Sequence, residues 1–433
     1  MNQAFKDEII KVYHEKFSTH PFVPGKSAVP VSGKVFDEKE MISVVEAVLD
    51  GWWTEGRFSD LFESKISQWL GSKHAILVNS GSSANLLALA ALKSSKLGNR
   101  KLRAGDEVIT VAAGFPTTVN PIIQNSLVPV FVDVDLGQYN ASIGAIKKAF
   151  GKKTKAIVLA HTLGNPFDLE AITQLCRDYK LWLIEDNCDA LGSRYNGKFT
   201  GTFGHISTGS FYPAHHITMG EGGALFTNDP LLNKIIRSLR DWGRDCWCKT
   251  GHDDTCGKRF DWQLGELPKG YDHKYIYSEM GYNLKLTDMQ AALGLAQIEK
   301  LGGFIEKRKE NFNILYSGLK KYEKYFILPS WLENADPSWF GFLLTVKTDA
   351  PFSRSQIIQH LQTKKVGTRY LFAGNLTKQP YFINNKIKYR VVGGLKNTDM
   401  VMKNTFWIGC YPGLTKEMLE YMVASFDSFL ARL

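Results

Sequence analysis

Residues Lys155–Asn187 read KAIVLAHTLGNPFDLEAITQLCRDYKLWLIEDN. Two short apolar runs, KAIVLAH and LWLIEDN, flank the segment DLEAITQLCRDYK, which has helical character. Short apolar runs bounded by polar or charged residues are typical of buried strands. The pattern therefore predicts a strand, a helix and a second strand, which is the βαβ unit of a parallel sheet.

The same alternation extends over residues 74–230. Further apolar runs are bounded by charged, Gly or Asp residues, and segments of helical composition such as SSANLLALAAL separate them: HAILVNS, DEVITVAAG and VPVFVDVD. Repeated units of this kind predict an α/β fold with a mostly parallel sheet that is buried on both faces. Functional groups in such folds lie at the carboxyl ends of strands, so the turns there are where we expect the site.

The rest of the chain frames this sheet. A length of 433 residues suggests roughly two domains in a compact subunit. Residues 286–325 have a helical pattern and are expected to connect a large domain, residues 41–325, to a smaller C-terminal domain of mixed type, residues 326–433. The first 40 residues are expected to form a helical segment outside the main sheet.

Composition predicts a soluble protein. Hydrophobic residues make up 44% of the chain and charged residues 22%, and no apolar run reaches the roughly 20 residues of a membrane span. The N-terminus is charged from Lys6 onward and lacks an apolar signal core, which predicts a cytoplasmic protein. The net charge of +10 fits either a lysine-rich surface or attraction to anions. Nucleic-acid binding is not expected, because the basic residues are scattered and no nucleic-acid-binding signature is present.

Two turns carry polar groups at predicted strand ends. In NSGSSANL, Gly81, Ser82 and Ser83 open a helix, where they could hold a phosphate or simply cap the helix. In LIEDNCDALG, Asp186 could pair with a protonated pyridine nitrogen, or it could be a solvated residue at a strand end. The chain has no GxGxxG and no GxxxxGK[ST], so neither a nicotinamide site nor an ATPase site is expected.

The six cysteines are not expected to form disulfides in a protein of this size and compartment. Four of them have a suggestive spacing: Cys188, 57 residues, Cys246, one residue, Cys248, seven residues, Cys256. Four thiolates that converge suit an iron–sulfur cluster or a tetrahedral zinc ion, although the C-x-C pair is tight for zinc. Unpaired cysteines in a loop are the remaining interpretation. Cys176 and Cys410 are expected to be ordinary buried cysteines.

The ordered set of turns resembles a known family. The segments SGSSA, VAAGFPTT, EDNCDA, SFYPAHHITMGEGG and GYNLKLTDMQAALG occur in that order, and together they are similar to the DegT/DnrJ/EryC1/StrS sugar aminotransferases. The resemblance covers the chain from about residue 35 to its end. It implies the fold-type I architecture of enzymes that use pyridoxal phosphate, with a cysteine-bearing insertion at about residues 244–275.

The resemblance also implies roles for particular residues. Gly81, Ser82 and Ser210 would hold the cofactor phosphate, Phe115 would stack on the pyridine ring, and Asp186 would meet its nitrogen. Asn283 would reach the phosphate in a neighbouring subunit, which implies a homodimer with shared active sites.

The chain departs from the family at the residue that binds the cofactor covalently. His215 falls on the position of the family's lysine. The departure implies pyridoxamine phosphate held without a covalent bond, and His215 as a proton carrier in a dehydration rather than a transamination. An inactive homologue in which His215 only fills space is the alternative.

One branch of the family matches His215, the cysteine spacing and the segments AGFPTTVNP, DWGRDC and VGTRYLFAGNLT. That branch removes the 3-hydroxyl group of CDP-linked 4-keto-6-deoxyglucose in 3,6-dideoxyhexose biosynthesis. The resemblance implies a [2Fe–2S] cluster bound by Cys188, Cys246, Cys248 and Cys256. It also implies a separate NADH-dependent flavin and iron–sulfur reductase as the electron donor.

The last prediction from the sequence concerns recognition of the substrate. Arg244 and Arg369 are candidates for the diphosphate of the sugar nucleotide, with a solvated or structural role as the alternative. The segment DHKYIYSEMGYN is expected to add tyrosine and histidine contacts. Three other functions stay open: a dehydratase of a GDP-linked sugar, an ordinary sugar aminotransferase, and an inactive scaffold whose cysteines hold structural zinc.

Overall fold

A computed structural model describes residues 1–17, 21–248 and 250–432. Residues 18–20, 249 and 433 fall within the expected N-terminal segment, insertion and C-terminal domain, and they lie outside the described residues. The described residues form fourteen α-helices in chain order: α1 Gln3–Lys16, α2 Glu38–Leu49, α3 Arg57–Leu70, α4 Gly81–Ala91, α5 Pro116–Gln124, α6 Ile143–Ala149, α7 Leu169–Asp178, α8 Pro230–Arg240, α9 Asp288–Ile298, α10 Leu301–Leu319, α11 Arg354–Thr363, α12 Pro380–Asn384, α13 Lys396–Asn404 and α14 Lys416–Leu430.

The described residues also form fifteen strands in three sheets. In chain order these are β1 His74–Val78, β2 Glu107–Val111, β3 Val128–Val132, β4 Thr154–Ala160, β5 Trp182–Asp186, β6 Arg194–Tyr195, β7 Lys198–Phe199, β8 Ile206–Ser210, β9 Gly223–Thr227, β10 Phe326–Ile327, β11 Ala335–Asp336, β12 Gly341–Val346, β13 Thr368–Tyr370, β14 Arg390–Val391 and β15 Thr405–Gly409. The main sheet has the order β1-β9-β8-β5-β4-β2-β3-β14, and only β9 runs against its neighbours. The predicted α/β fold with a mostly parallel sheet is confirmed.

The segment Lys155–Asn187 forms β4, α7 and β5 as predicted. Helix α7 begins after Asp168, whose side chain accepts a hydrogen bond from the backbone N–H of Ala171 at 2.9 Å. Strands β4 and β5 pair in parallel, with Ala156 opposite Trp182 and Ala160 opposite Asp186. The βαβ unit therefore delivers Asp186 to the carboxyl edge of the sheet.

Successive residues of the central strands supply two different cores. Ile157 and Leu159 of β4 join the core on one face of the sheet, whereas Ala156 and Val158 join the core on the other. This alternation follows from the period of two along a strand. Burial on both faces is why these strands appear in the sequence as continuous apolar runs.

The C-terminal part builds a second core. Strands β10, β12, β15 and β13 form an antiparallel sheet that packs with α10 and α14. Phe312 of α10 stacks on Trp339 with a centroid distance of 3.9 Å, and both belong to this core. A buried side chain of this size contributes about 2–3 kcal/mol through the apolar area it removes from water.

The connection between the two cores is not one long helix. The helical pattern of residues 286–325 forms two helices, α9 and α10, which meet at Glu299 and Lys300. The Lys300 ammonium group lies 2.6 Å from a carboxylate oxygen of Glu40, so this junction is tied to α2. No helix in the described part of the chain is long and apolar enough to cross a membrane.

Candidate active site

A narrow turn between β1 and α4 forms one wall of the site. Ser80 caps α4, and its Oγ accepts a hydrogen bond from the backbone N–H of Ser83 at 3.1 Å. Ser82 Oγ is exposed and donates to Thr117 Oγ1 at 3.1 Å. The first N–H groups of α4 thus point to the same edge of the sheet as the end of β5, a place suited to an anion such as a phosphate.

Two glycines keep this turn free of side chains. A Cβ atom on Gly81 would lie 2.5 Å from Ser210 Cβ, and one on Gly223 would lie 2.4 Å from the backbone carbonyl group of Ser80. Both distances are far below van der Waals contact. Gly81 and Ser210 are therefore in close contact, with Ser82 next along the same turn, and the cradle fits the phosphate of pyridoxal or pyridoxamine phosphate.

Asp186 is held in a fixed orientation at the end of β5. It is 5% exposed, and its Oδ2 accepts hydrogen bonds from Asn85 Nδ2 at 2.9 Å and Thr118 Oγ1 at 2.6 Å. Asn85 is itself oriented by Thr208, whose hydroxyl donates to Asn85 Oδ1 at 2.7 Å. A buried and oriented carboxylate is suited to accept a hydrogen bond from a protonated ring nitrogen. This anchoring argues against a solvated strand end.

Phe115 lies at the start of α5, beside the same edge. Its ring is half exposed and meets Phe372 edge to face, with a centroid distance of 5.8 Å. An exposed aromatic face next to the phosphate cradle is available to stack on a pyridine ring.

The two histidines of the SFYPAHHITMGEGG turn have different surroundings. His216 is 2% exposed, and its Nε2 donates to the Ser338 carbonyl group at 2.9 Å, so it has a structural partner. His215 Nδ1 lies 3.4 Å from Asp189 Oδ1, within ion-pair range but not aligned as a hydrogen bond. Of the two histidines, His215 is therefore the one whose ring can take part in proton transfer.

Electrostatics keeps His215 neutral. Burial and the nearby positive charge of Arg308 lower the pKa of His215 to about 4. Burial and the negative charge of Asp186 raise the pKa of Asp189 to about 8. A neutral imidazole can accept a proton at physiological pH, which is what a general base requires.

Arg308 holds the backbone that carries His215. Its side chain is fully buried in α10, and its Nη2 donates to the carbonyl groups of Ala214 and His215 at 3.4 and 3.2 Å. Its Nη1 donates to the carbonyl groups of Trp339 and Phe340 at 3.2 and 3.3 Å. Neither Arg308 nor Asp189 is among the residues predicted from the sequence. Arg308 could have been found, because it falls on the apolar stripe of α10 rather than on its charged face.

The insertion brings three of the four spaced cysteines together. Cys248 Sγ lies 3.9 Å from Cys256 Sγ, and Cys256 Sγ lies 3.7 Å from His273 Nε2. The ligand atoms of Cys246, Cys248 and His273 all lie within 4.8 Å of one another. The segment DHKYIYSEMGYN is predicted to supply tyrosine and histidine contacts to substrate; in the structure its histidine, His273, packs against the thiols.

Thiolate formation is favoured at Cys248, whereas burial raises the pKa of Cys246. Burial alone would raise the pKa of Cys248, but hydrogen bonds from Thr255 and the neighbouring cysteines lower it to about 6. Thiolates bind metal ions, so the donor set fits a metal centre.

Cys188 has different neighbours. A Cβ atom on Gly81 would lie 3.0 Å from Cys188 Sγ, and this sulfur lies 3.9 Å from Thr208 Oγ1. Burial and the nearby Asp186 raise the pKa of Cys188 well above its usual value. Cys188 therefore lies beside the phosphate cradle. In the described part of the chain, only the three cysteines of the insertion are brought together, and Cys188 is not among them.

The remaining predicted residues lie at the periphery. Arg244 is partly buried over the Trp242 ring, at 4.9 Å from its centroid, and lines a cavity of about 1360 Å³ together with Cys246 and Cys248. Arg369 is exposed on β13, and Asn283 is exposed beside Asp241. Among the described residues, none of these three side chains forms a hydrogen bond or an ion pair with the residues of the cofactor cradle.

The fold and this site define an enzyme with the architecture of pyridoxal-phosphate-dependent aminotransferases. The chain belongs to the DegT/DnrJ/EryC1/StrS aminotransferase family, which it matches over residues 35–427.

Three relatives illustrate what the chain is similar to. Lipopolysaccharide biosynthesis protein RfbH of Salmonella typhimurium is 59% identical over 429 residues, which cover 99% of this chain and 98% of the relative. The dTDP-4-dehydro-2,6-dideoxy-D-glucose 3-dehydratase of Saccharopolyspora spinosa is 51% identical over 430 residues, 99% of this chain and 92% of the relative. A solved structure of E. coli GDP-4-keto-6-deoxy-D-mannose-3-dehydratase with bound hydrated PLP superposes with a TM-score of 0.82 at 29% identity, covering 92% of this chain and 98% of that one.

Proposed function

We propose that the protein removes the 3-hydroxyl group of a nucleotide-linked 4-keto-6-deoxy sugar, with non-covalently held pyridoxamine phosphate as cofactor. The observation that carries this proposal is His215 in the lysine position of an otherwise intact site. The phosphate cradle and the anchored Asp186 are retained, whereas no lysine is available in the turn. Two of the relatives described above are named as sugar 3-dehydratases, which supports the same reaction class.

The cofactor, when bound, supplies an amine that condenses with the 4-keto group and a ring that withdraws electrons from the sugar. The chain supplies the remaining requirements. Asp186 would keep the ring nitrogen protonated through its fixed carboxylate, and the α4 terminus with Gly81, Ser82 and Ser210 would hold the phosphate. His215, neutral and partly buried, would accept the proton whose removal allows the 3-hydroxyl to leave, and would return that proton to the departing hydroxyl, which is released as water.

We propose the CDP-linked sugar as the substrate. The support is the resemblance of His215, the cysteine spacing and the VGTRYLFAGNLT segment to the CDP-specific branch. Arg244 and Arg369 are the proposed contacts for the diphosphate.

We further propose that the protein carries a [2Fe–2S] cluster bound by Cys246, Cys248, Cys256 and Cys188. The convergence of the three insertion thiols supports the metal centre, and the sequence resemblance supports Cys188 as the fourth ligand. Replacing the 3-hydroxyl by hydrogen consumes two electrons and two protons and releases one water molecule. We propose that a separate NADH-dependent flavin and iron–sulfur reductase supplies these electrons.

A homodimer with shared active sites is the proposed assembly, with Asn283 reaching the phosphate of the neighbouring subunit. The exposed aromatic side chains of Trp52, Trp53 and Tyr277 and the 94% exposed Met280 support a further contact surface. Sedimentation equilibrium tests the assembly; a monomer at micromolar concentration would contradict it.

The reaction is tested with purified protein, pyridoxamine phosphate and the CDP-, dTDP- and GDP-linked 4-keto-6-deoxy sugars. Mass spectrometry should detect loss of the 3-hydroxyl from the CDP-linked sugar first, and His215→Asn should lower the rate by about 10²–10⁴-fold. His252→Asn, at an exposed position, is the matched control. Stoichiometric formation of an amino sugar from a glutamate donor would instead identify an aminotransferase.

A second function is favoured by one observation. Because His273 joins three cysteines in a compact group, the insertion also suits a structural zinc ion in a catalytically inactive relative. Metal analysis of anaerobically purified protein decides between them. Iron with labile sulfide supports the redox dehydratase, whereas zinc without bound pyridoxamine phosphate supports the scaffold.

A further inference from the structure

His273 is buried against the thiols of the insertion. Its side chain is 1% exposed, and its Nε2 lies 3.7 Å from Cys256 Sγ. Its Nδ1 has no hydrogen-bond partner among the described residues. Histidine is usually only partly buried, so an enclosed imidazole that faces sulfur requires an explanation.

The surroundings fix the imidazole in this position. Its ring packs against Trp262 and Trp247, with centroid distances of 4.7 and 6.1 Å. Its backbone N–H donates to the Arg259 carbonyl group at 3.0 Å, and the neighbouring Asp272 pairs with the Arg259 guanidinium group at 2.7 Å. The histidine is therefore anchored from both the backbone and the ring.

We propose that His273 is a positioning residue of the cysteine centre, whose Nε2–H donates a hydrogen bond to the Cys256 thiolate. This inference deepens the proposed function and rests on it. Under that function, three insertion cysteines and Cys188 already supply four ligands, which leaves His273 as a donor to a ligand sulfur. Such partners orient ligands and tune the metal they bind.

The hydrogen bond has a defined electrostatic consequence. It places positive charge density next to a ligand sulfur, and this stabilises the more negative, reduced state of the centre. Hydrogen bonds to sulfur are among the factors that set the potential of iron–sulfur clusters. His273 should therefore raise the reduction potential and ease electron entry.

The test compares His273→Leu, which removes the donor, with His273→Gln, which keeps an N–H group near Nε2. The exposed His252→Gln in the same insertion is the matched control. Iron, labile sulfide, the electron paramagnetic resonance spectrum and the midpoint potential are measured on anaerobically purified protein. We expect unchanged iron content in all variants. The equilibrium constant for one-electron reduction should fall by about tenfold in His273→Leu, a shift of about 59 mV to lower potential. It should recover largely in His273→Gln.

Two results would overturn the proposal. An unchanged potential in His273→Leu would show that the imidazole does not act on the centre. Nitrogen hyperfine coupling in the wild-type spectrum, lost together with iron in His273→Leu, would make His273 a ligand instead.

Failure of the proposed function has a different signature, since the wild-type protein would then contain zinc and no labile sulfide. In that protein His273 would be a fourth zinc ligand beside the three thiols rather than a hydrogen-bond donor, and His273→Leu should release zinc to a chelator about tenfold faster or more. Zinc held in this way would overturn the positioning role together with the proposed function, whereas an unchanged potential in an iron-containing protein overturns the positioning role alone.

Discussion

His215 and Asp189 form a partly buried pair, with 3.4 Å between Nδ1 of the imidazole and a carboxylate oxygen. Asp189 lies only three residues after Asp186, so the turn after β5 serves both the cofactor ring and the proton-accepting histidine. A proton accepted by His215 places positive charge beside Asp189 and favours its ionised form. The two groups are thus expected to share the change in charge during the reaction.

Asp189→Asn should lower kcat by about 10–100-fold and leave KM nearly unchanged, because asparagine cannot offset the charge that forms on His215. Steady-state kinetics with the CDP-linked sugar measures both constants. Asp336→Asn, which removes an exposed carboxylate paired with Lys309, is the control. A kcat equal to that of the wild-type enzyme would remove Asp189 from the catalytic pair.

Gly81→Ala should weaken binding of pyridoxamine phosphate by at least about tenfold. The new methyl group would lie 2.5 Å from Ser210 Cβ, so one side of the phosphate cradle must move. Gly302→Ala is the control, since nothing lies within 4 Å of a Cβ atom there and alanine favours the helix. Titration of the cofactor followed by tryptophan fluorescence gives both affinities, and equal values would contradict the proposed cradle.

Arg308→Met should destabilise the fold by about 2–4 kcal/mol, because carbonyl groups around His215 and Phe340 lose a charged donor in a buried place. Thermal unfolding of the cofactor-free protein should show a lower Tm. Lys307→Met, on the exposed face of the same helix, should change the Tm little. Comparable Tm values for the two variants would mean that the Arg308 contacts contribute no stability.

His205 should make the fold sensitive to acid. Burial and the nearby positive charge of Arg100 lower the pKa of His205 to about 4, although Asp229 acts in the opposite direction. The unfolded chain has a histidine pKa near 6.5, so stability is complete above that pH and is lost as pH falls toward 4.

His205→Asn should remove this component, because asparagine can still accept the 3.1 Å hydrogen bond from the Leu183 N–H without titrating. Between pH 7 and 4.5, the wild-type free energy of unfolding should fall by about 2 kcal/mol more than that of the variant. Chemical denaturation at each pH measures the difference, and parallel pH profiles would refute it.

The central strands were predictable because both of their faces are buried. Strands β1 to β5 appear in the sequence as apolar runs, and their shared carboxyl edge brings Gly81 and Asp186 together. The resemblance to the family assigned the proton-accepting role to His215 rather than to His216, but the residues beside them in the sequence do not distinguish their surroundings. That distinction depends on a carbonyl group at Ser338, more than a hundred residues away in the chain.

Contacts of this long-range kind account for what the sequence analysis missed. Arg308 lies on the apolar stripe of α10 between Lys307 and Lys309, but only the fold shows that its guanidinium group reaches the backbone of His215. His273 lies 17 residues beyond Cys256, and its proximity to the thiols depends on how the insertion folds back. Asp189 was visible in EDNCDA, but nothing local indicates that it faces a histidine.

Strand β14 has a consequence for how the protein is made. Arg390 and Val391 pair with β3 and complete one edge of the main sheet, and the Arg390 side chain pairs with Glu107 of β2 at 2.7 Å. During synthesis on a ribosome, some 260 residues follow β3 before β14 is made. Until then, the backbone groups on this edge of β3 have no partner strand. Exposed edges invite pairing with other chains. A chain cut after residue 325 should therefore aggregate rather than fold on its own, and residues 41–325 and 326–433 should not be exchangeable between relatives as separate modules.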